Sequence, residues 1–164
     1  MLEMVISEQL AEIDFEAKDK EEVIKLLSGK MDKMGYVEAG FEEAVLARER
    51  EYPTGLPTKI PVALCHVEAE YVNRTALAIA TLKKPVEFHN MGDPKMVLPV
   101  EIVFLLTIVD PKEQVIYLRK MMEIFKDGTL LKMKDAQSKK EIVSILYNYF
   151  IEAEERNKDG KKKI

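Results

Sequence analysis

A chain of 164 residues with 47% apolar side chains is long enough for one packed core and too apolar to be disordered over most of its length. The net charge of −4 argues against nucleic acid as the main partner, since no basic face competes for phosphates. One cysteine, Cys65, excludes an intrachain disulfide, the state expected in a reducing cytosol.

Residues 1–11 carry Glu3 and Glu8 and lack both a basic start and an apolar core, so they do not read as a signal peptide. Asp19 with Glu22 three residues on is a capping-box pattern that opens a helix. Val23, Leu27, Met31 and Met34 follow at helical spacing, and Gly35 supplies a left-handed stop. A second helix is expected over 40–51, with Phe41, Val45 and Ala44 turned inward, ending before Pro53.

Residues 60–65 and 75–82 are short apolar runs suited to strands buried on both faces, and 86–88 is a further short candidate. Residues 97–109 are the most strand-like segment of the chain. The longest apolar run, 96–109, is interrupted by Pro99 and Glu101 and is too short to span a bilayer, so no direct membrane insertion is expected and the location reads as cytoplasmic. Asp110-Pro111-Lys112-Glu113 then places an N-cap, a proline at the first helical position and a glutamate at the third. Val115, Leu118, Met122 and Phe125 form the expected inner face of that helix. A last helix over 139–155 packs through Ile142, Ile145, Leu146 and Tyr149. The expectation is a single α/β domain over 1–155, a mixed central β-sheet with helices on both faces. Residues 156–164, with Lys161, Lys162 and Lys163, read as a charged, solvated tail.

Candidate chemistry is sparse. His66 and His89 lie 23 residues apart and Cys65 belongs to no CxxC, so no metal site is expected. Neither a Gly-rich phosphate loop nor a serine nucleophile elbow is present, and no cofactor is implied. His89 stands beside the turn composition Asn90-Met91-Gly92-Asp93-Pro94. His66 is expected to project into solvent from the end of an apolar strand, where a neutral imidazole has a nucleophilic ring nitrogen. On position alone, an ordinary polar histidine is the commoner reading. The segment Pro53-Thr54-Gly55-Leu56 makes a turn that leads into this strand and can bring Arg48 or Arg50 near the ring. A guanidinium there would offset the charge of a transferred phosphoryl group.

The run Arg48-Glu49-Arg50-Glu51-Tyr52-Pro53-Thr54-Gly55-Leu56, followed by Ile60-Pro61-Val62-Ala63-Leu64-Cys65-His66, resembles the signature of fructose–mannitol superfamily enzyme IIA domains of bacterial sugar phosphotransferase systems. The Ala47-Arg48-Glu49 start and His66-Val67-Glu68-Ala69 look closest to the galactitol type, as does Asp110-Pro111-Lys112-Glu113-Gln114 with Leu118-Arg119, while Val86-Glu87-Phe88 resembles the Val-x-Phe strand of the family as a whole. The resemblance implies a phosphotransferase with a mixed sheet covered on both faces. It implies that His66 receives a phosphoryl group at Nε2 from the phosphocarrier protein HPr and passes it to a cysteine of a cognate enzyme IIB, which serves the membrane enzyme IIC during sugar uptake. Arg48 would hold the phosphoryl oxygens, and Thr54 and Gly55 would shape the pocket wall.

Two departures stand out. The family's usual proline before the histidine is Cys65 here, and the second histidine of mannitol-type members has Glu113 in its place. Glu113 either accepts from Nδ1 of His66 or completes the cap of its helix, the cap being favoured. A phosphocarrier for galactitol or a related polyol is the leading expectation. Its rivals are a regulatory domain whose phosphorylation at His66 controls protein binding, and a degenerate domain that only binds a partner. Leu64, Val67 and Tyr71 are candidate rim residues of the expected protein-binding surface, and each fits a core position equally well.

Overall fold

The strand segments are apolar on both sides because alternate residues enter two different cores. In β3 (Val62–Cys65), Val62 and Leu64 point to one face while Ala63 and Cys65 point to the other. The same alternation divides Leu77 and Ile79 from Ala78 and Ala80 in β4 (Ala76–His89). In β5 (Val97–Thr107) it divides Ile102, Phe104 and Leu106 from Val103 and Leu105. A sheet apolar on both faces must be covered on both. In this computed structural model, which describes residues 3–126 and 128–162 with side chains as far as Phe150, helices supply both covers.

One cover is α1 (Lys20–Lys33) and α2 (Phe41–Glu51), which bury Val23, Ile24, Leu27, Met31, Phe41 and Val45. The Asp19 side chain accepts from Glu22 N at 3.0 Å, the expected cap, and Gly35 has φ +76° just beyond the helix. Met34 does not join the inner face; it is half-exposed, and Ile24 is buried instead. The other cover is α3 (Gln114–Ile124), α4 (Thr129–Asp135) and α5 (Lys139–Lys162). Tyr117, Met121, Met133, Ile142, Leu146 and Phe150 reach that core, where the rings of Phe104 and Phe125 lie 5.4 Å apart.

The sheet order is β1-β4-β5-β3-β2, with β1 (Ala11–Phe15) and β2 (Gly55–Leu56) at its edges. β1 runs parallel to β4 and β3 parallel to β5, whereas β4–β5 and β2–β3 are antiparallel. The sheet is therefore mixed, as expected. Edge strands β1 and β2 and helix α4 are additions to the expected elements, β2 lying where only a turn is expected, and 75–82 with 86–88 prove to be one bent strand.

The bend in β4 has a definite origin. Thr81 pairs with Ile102 and Val86 with Val100, so residues 82–85 stand opposite the single Glu101. Lys83, Lys84 and Pro85 fill the bulge and are exposed; a proline without an N–H is tolerated there. Beyond the bulge, Val86, Phe88, Leu98 and Val100 all join the α1–α2 core. The far end of the hairpin then reaches β2, where Met91 N donates to Gly55 O at 2.8 Å.

The inner face of α3 differs from expectation. Tyr117, Met121, Ile124 and Phe125 are buried, Leu118 is partly buried, and Val115 and Met122 are exposed. Leu118 and Phe125 lie between the two apolar stripes of this helix, and the row that faces the sheet is Tyr117, Met121 and Ile124 rather than Val115 and Met122. Asp110 does cap the 3-10 turn Pro111–Glu113 before the helix, its side chain accepting from Lys112 N at 2.9 Å. Helix α5 continues to Lys162, beyond the expected end at residue 155. The side chains of the expected tail over 156–164, and all of residues 163–164, lie outside the described residues. Among the described residues, no helix is long and apolar enough to cross a membrane.

Candidate functional site

Helix α2 and strand β3 converge on one spot, and the turn between them brings Arg48 and His66 together. Tyr52 N bonds back to Arg48 O and closes the helix before Pro53. The chain then enters β2, which pairs Gly55 with Ala63 and Leu56 with Val62. Gly55 is required by contact rather than by turn conformation. A Cβ there would stand 2.5 Å from His89 O on the neighbouring hairpin, far inside van der Waals contact.

His66 follows β3 and is 9% exposed, so the ring is tucked in rather than projecting into solvent. Its Nδ1 lies 2.9 Å from Leu64 O. A carbonyl oxygen can only accept, so Nδ1 carries the hydrogen and Nε2 holds the free lone pair. Arg48 Nη2 stands 3.5 Å from that Nε2. Burial lowers the imidazole pKa below its ordinary value; the Leu64 carbonyl raises it, Arg48 lowers it further and Glu68 raises it. The group is thus neutral at pH 7, with a nucleophilic nitrogen facing a cation.

Arg48 is held by several neighbours. Its Nη1 donates to Glu68 Oε1 at 3.0 Å, and its Cζ lies 5.4 Å from the centre of the Tyr52 ring. Its Nε–H is buried and has no partner among the described residues. Arg50, the alternative cation, is exposed. A cavity of about 230 Å³ opens between Arg48, Glu51, Tyr52, Glu68 and Tyr71. It is smaller than the roughly 300–1,000 Å³ typical of pockets that enclose a small ligand. Leu64 and Val67 are core rather than rim, one in each core, and Tyr71 is partly buried.

Beneath the site lies a buried carboxylate. Glu49 is 3% exposed and accepts from Thr54 N at 2.9 Å and from Thr54 Oγ1 at 2.8 Å. Burial raises its pKa, while the two Thr54 bonds, Lys20 and Arg48 lower it. Thr54 Oγ1 also lies 3.9 Å from Cys65 Sγ. The Cys65 thiol is fully buried, and burial and the nearby Glu49 push its pKa well above the ordinary value. Cys65 is therefore a packed thiol and not a thiolate nucleophile. It pairs with Leu105 in the β3–β5 ladder. Thr54 reaches the site through the backbone too, since Leu64 N donates to Thr54 O at 3.3 Å.

Glu113 is not brought to His66. It lines a separate cleft with Asn73, Arg74 and Thr75, and among the described residues its side chain makes no hydrogen bond to the imidazole. Glu113 stands at the N-cap of α3, without a side-chain cap bond among the described residues. Nδ1 is taken by Leu64, and only the Glu113 backbone contributes to the turn, through Glu113 N to Asp110 O. His89 ends β4 with Nδ1 2.8 Å from Pro94 O. Among the described residues, no cluster of metal-ligating side chains forms.

Two residues of the site escaped the sequence reading. Glu49 continues the buried Phe41–Val45 row at the same four-residue spacing, so a charged residue on an apolar stripe was the available signal. Glu68 was visible only as part of a motif, with nothing to tie it to Arg48 twenty residues earlier.

Residues 4–149 match the family described as "Phosphoenolpyruvate-dependent sugar phosphotransferase system, EIIA 2". Among curated relatives, the transcriptional regulator ManR of Bacillus subtilis is 30% identical over 57% of this chain, which spans 13% of that protein. The multiphosphoryl transfer protein of Shigella flexneri is 32% identical over 58% of this chain, which spans 11% of its length. The galactitol-specific EIIA component of Escherichia coli K12 is 29% identical over 62% of this chain and 67% of its own. Among solved structures, the complex of Escherichia coli enzyme IIA Mtl with phosphorylated enzyme IIB Mtl superposes with a TM-score of 0.71 at 21% identity, covering 88% of this chain and 99% of that one. An IIA protein (PtxA) of Streptococcus mutans gives 0.72 at 19% identity, over 87% and 89%. These structural likenesses establish a shared fold. The family match extends over both helical layers and the whole sheet, and on that ground the chain belongs to the type 2 EIIA family of phosphoenolpyruvate-dependent sugar phosphotransferase systems, a family of phosphotransferase domains.

Proposed function

We propose that this chain is a phosphoryl relay that accepts a phosphoryl group on Nε2 of His66 from phosphorylated HPr and passes it to a cysteine of a cognate enzyme IIB, for uptake of galactitol or a related polyol. The observation that carries the reading is the protonation pattern at His66. The Leu64 carbonyl fixes the hydrogen on Nδ1, and Nε2 faces Arg48 with a free lone pair.

The chemistry follows from that pattern. The Nε2 lone pair attacks phosphorus as the donor's N–P bond breaks, and the donor imidazole leaves with the electron pair of that bond. His66 keeps its Nδ1 hydrogen, so the phosphorylated ring carries positive charge that the Leu64 carbonyl oxygen stabilises. In the second step the acceptor thiolate attacks phosphorus, and His66 departs as a neutral imidazole. A neutral leaving group makes the bond easy to break again, which a relay requires. Arg48 offsets charge on the equatorial oxygens, and its buried Nε–H adds donor capacity. Thr54 and Gly55 act from behind, by positioning β3 and the turn before it. The galactitol assignment rests on likeness to the galactitol-specific EIIA component and on the Ala47-Arg48-Glu49 and His66-Val67-Glu68-Ala69 motifs.

A regulatory use of the same phosphorylation is the second reading, favoured by the similarity to ManR, a transcriptional regulator. Incubation with phosphoenolpyruvate, enzyme I and HPr, followed by intact-mass analysis of wild type and His66→Ala, tests the first. One acid-labile phosphate on the wild type and none on the variant is expected. Phosphate retained by the variant would move the site elsewhere. Phosphate accepted but never delivered to an EIIB cysteine would favour the regulatory reading.

A further inference from the structure

Arg48 serves two anions, one present and one to come. Glu68 Oε1 takes Nη1 at 3.0 Å, and Nη2 faces His66 Nε2 at 3.5 Å, where a phosphoryl group would be attached. The Glu68 side chain is 59% exposed while that of Arg48 is only 27% exposed. The arginine has other anchors, the Tyr52 ring and the buried path of its own chain. Glu68 is therefore not needed to hold Arg48 in place, and it occupies the guanidinium from the solvent side.

A phosphoryl group on Nε2 brings about two negative charges to the same fork. Guanidinium is better matched to phosphate oxygens in a two-pronged contact than to one carboxylate oxygen. The phosphoryl group would be covalently fixed, whereas the Glu68 carboxylate is exposed and has water on its other side as an alternative partner. The backbone of Glu68 is pinned by the Ala69–Tyr71 turn, where Tyr71 N bonds to Glu68 O, and by the bridge between Val37 and Val72. Only the carboxylate can give way.

We infer that Glu68 is a displaceable counter-anion: it occupies Arg48 in the unphosphorylated protein, is expelled when His66 is phosphorylated, and thereby raises the phosphoryl-transfer potential of the site. The inference rests on the reading of His66 as the phosphoryl acceptor. Glu68 is a positioning residue in this scheme, acting through Arg48 and through charge rather than on the transferred group. Its presence stabilises the empty state and its repulsion destabilises the loaded one, so both effects push the group onward to the acceptor.

The test is the exchange equilibrium with HPr, measured by intact mass after mixing phosphorylated HPr with wild type, Glu68→Gln and Glu68→Ala. Both substitutions remove the charge, and only Gln can donate a hydrogen bond to phosphate, so a shared shift reports charge. Both variants are expected to move the equilibrium toward the phosphorylated form of this chain by roughly three- to tenfold, as a partly exposed charge pair allows. The phosphorylated variants should also lose phosphate to water more slowly, with thermal unfolding unchanged. An equilibrium within twofold of wild type, or shifted toward phosphorylated HPr, overturns the inference and leaves the phosphocarrier reading standing. A wild type that takes up no phosphate overturns both.

Discussion

Thr54→Val should expose the energetics of the carboxylate buried under the site. Valine matches threonine in shape, so no cavity forms, but the hydroxyl that donates to Glu49 Oε2 at 2.8 Å is lost. Thr54 N still donates to Oε1 at 2.9 Å, which leaves Glu49 with one partner from this residue where it had two. A hydrogen bond to a charged acceptor contributes roughly 1.5–3 kcal/mol, so the loss should be about 2 kcal/mol where Glu49 is ionised. For a domain of this size that is about 4–8 °C in Tm. The pH dependence is the sharper readout. Burial raises the folded-state pKa of Glu49 above the ordinary 4.5, so between the two values the folded protein binds more protons than the unfolded one. Wild-type stability from this group therefore falls as pH rises through that window. Removing the donor raises the folded pKa further, so the penalty of the substitution should be largest at alkaline pH and shrink on acidification. Urea unfolding of both proteins at pH 5 and pH 8 measures it. A penalty equal at both pH values, or below about 0.5 kcal/mol throughout, would refute the assignment of Thr54 as the donor that sustains a buried charge.

Arg48→Ala should leave thermal unfolding within a few degrees of wild type while slowing phosphate uptake from phosphorylated HPr by about 10²–10³-fold, the loss typical of one preorganised donor to a charged transition state. Normal uptake by this variant would remove the guanidinium from the mechanism. Gly55→Ala places a Cβ against His89 O at 2.5 Å and must push the β4–β5 hairpin off β2; a loss above about 2 kcal/mol is expected in denaturant unfolding, and a neutral substitution would mean that the hairpin yields freely. His66 has a folded-state pKa below the ordinary 6.5, chiefly from burial, so the unfolded chain binds more protons than the folded one just below 6.5. Stability from this group is complete above that value and falls as pH drops through the window. Phosphate acceptance should likewise persist to lower pH than an ordinary imidazole allows. NMR titration of the ring protons checks both, and a midpoint at or above 6.5 would contradict them.

Much of this architecture was legible because its signals are local. The Asp19 cap, the Gly35 stop and the proline-limited end of α2 depend on a few consecutive residues, and all three stand as read. Apolar runs with no alternation of polarity announced a sheet buried on both faces. The failures trace to features that sequence spacing does not encode. Strand β1 is short and carries Glu12 and Asp14, and Asp14 takes φ +49° where the register with β4 slips. Helix α3 has apolar residues on two neighbouring stripes, and only packing against the sheet selects Tyr117, Met121 and Ile124 over Val115 and Met122. In the site itself, His66 and Arg48 stood out by type and by motif, but the depth of the ring did not. Glu113 offered either a partner for the ring or a helix cap by its place in the chain; it stands at the N-cap of α3, and Leu64 O takes Nδ1 of His66.

The short bond from His66 Nδ1 to Leu64 O joins two residues of one continuous peptide stretch rather than two layers of the fold. The choice of which ring nitrogen keeps its lone pair is therefore built into the strand end and travels with it. Arg48 reaches the ring from α2 across a separate contact. A docking protein can thus pull at the helix, or draw the guanidinium toward an incoming charge, without changing which nitrogen bears the hydrogen. Selectivity for the reacting atom and management of charge are mechanically decoupled. In the relay proposed above, each encounter can reshape the electrostatics while the nucleophile stays the same.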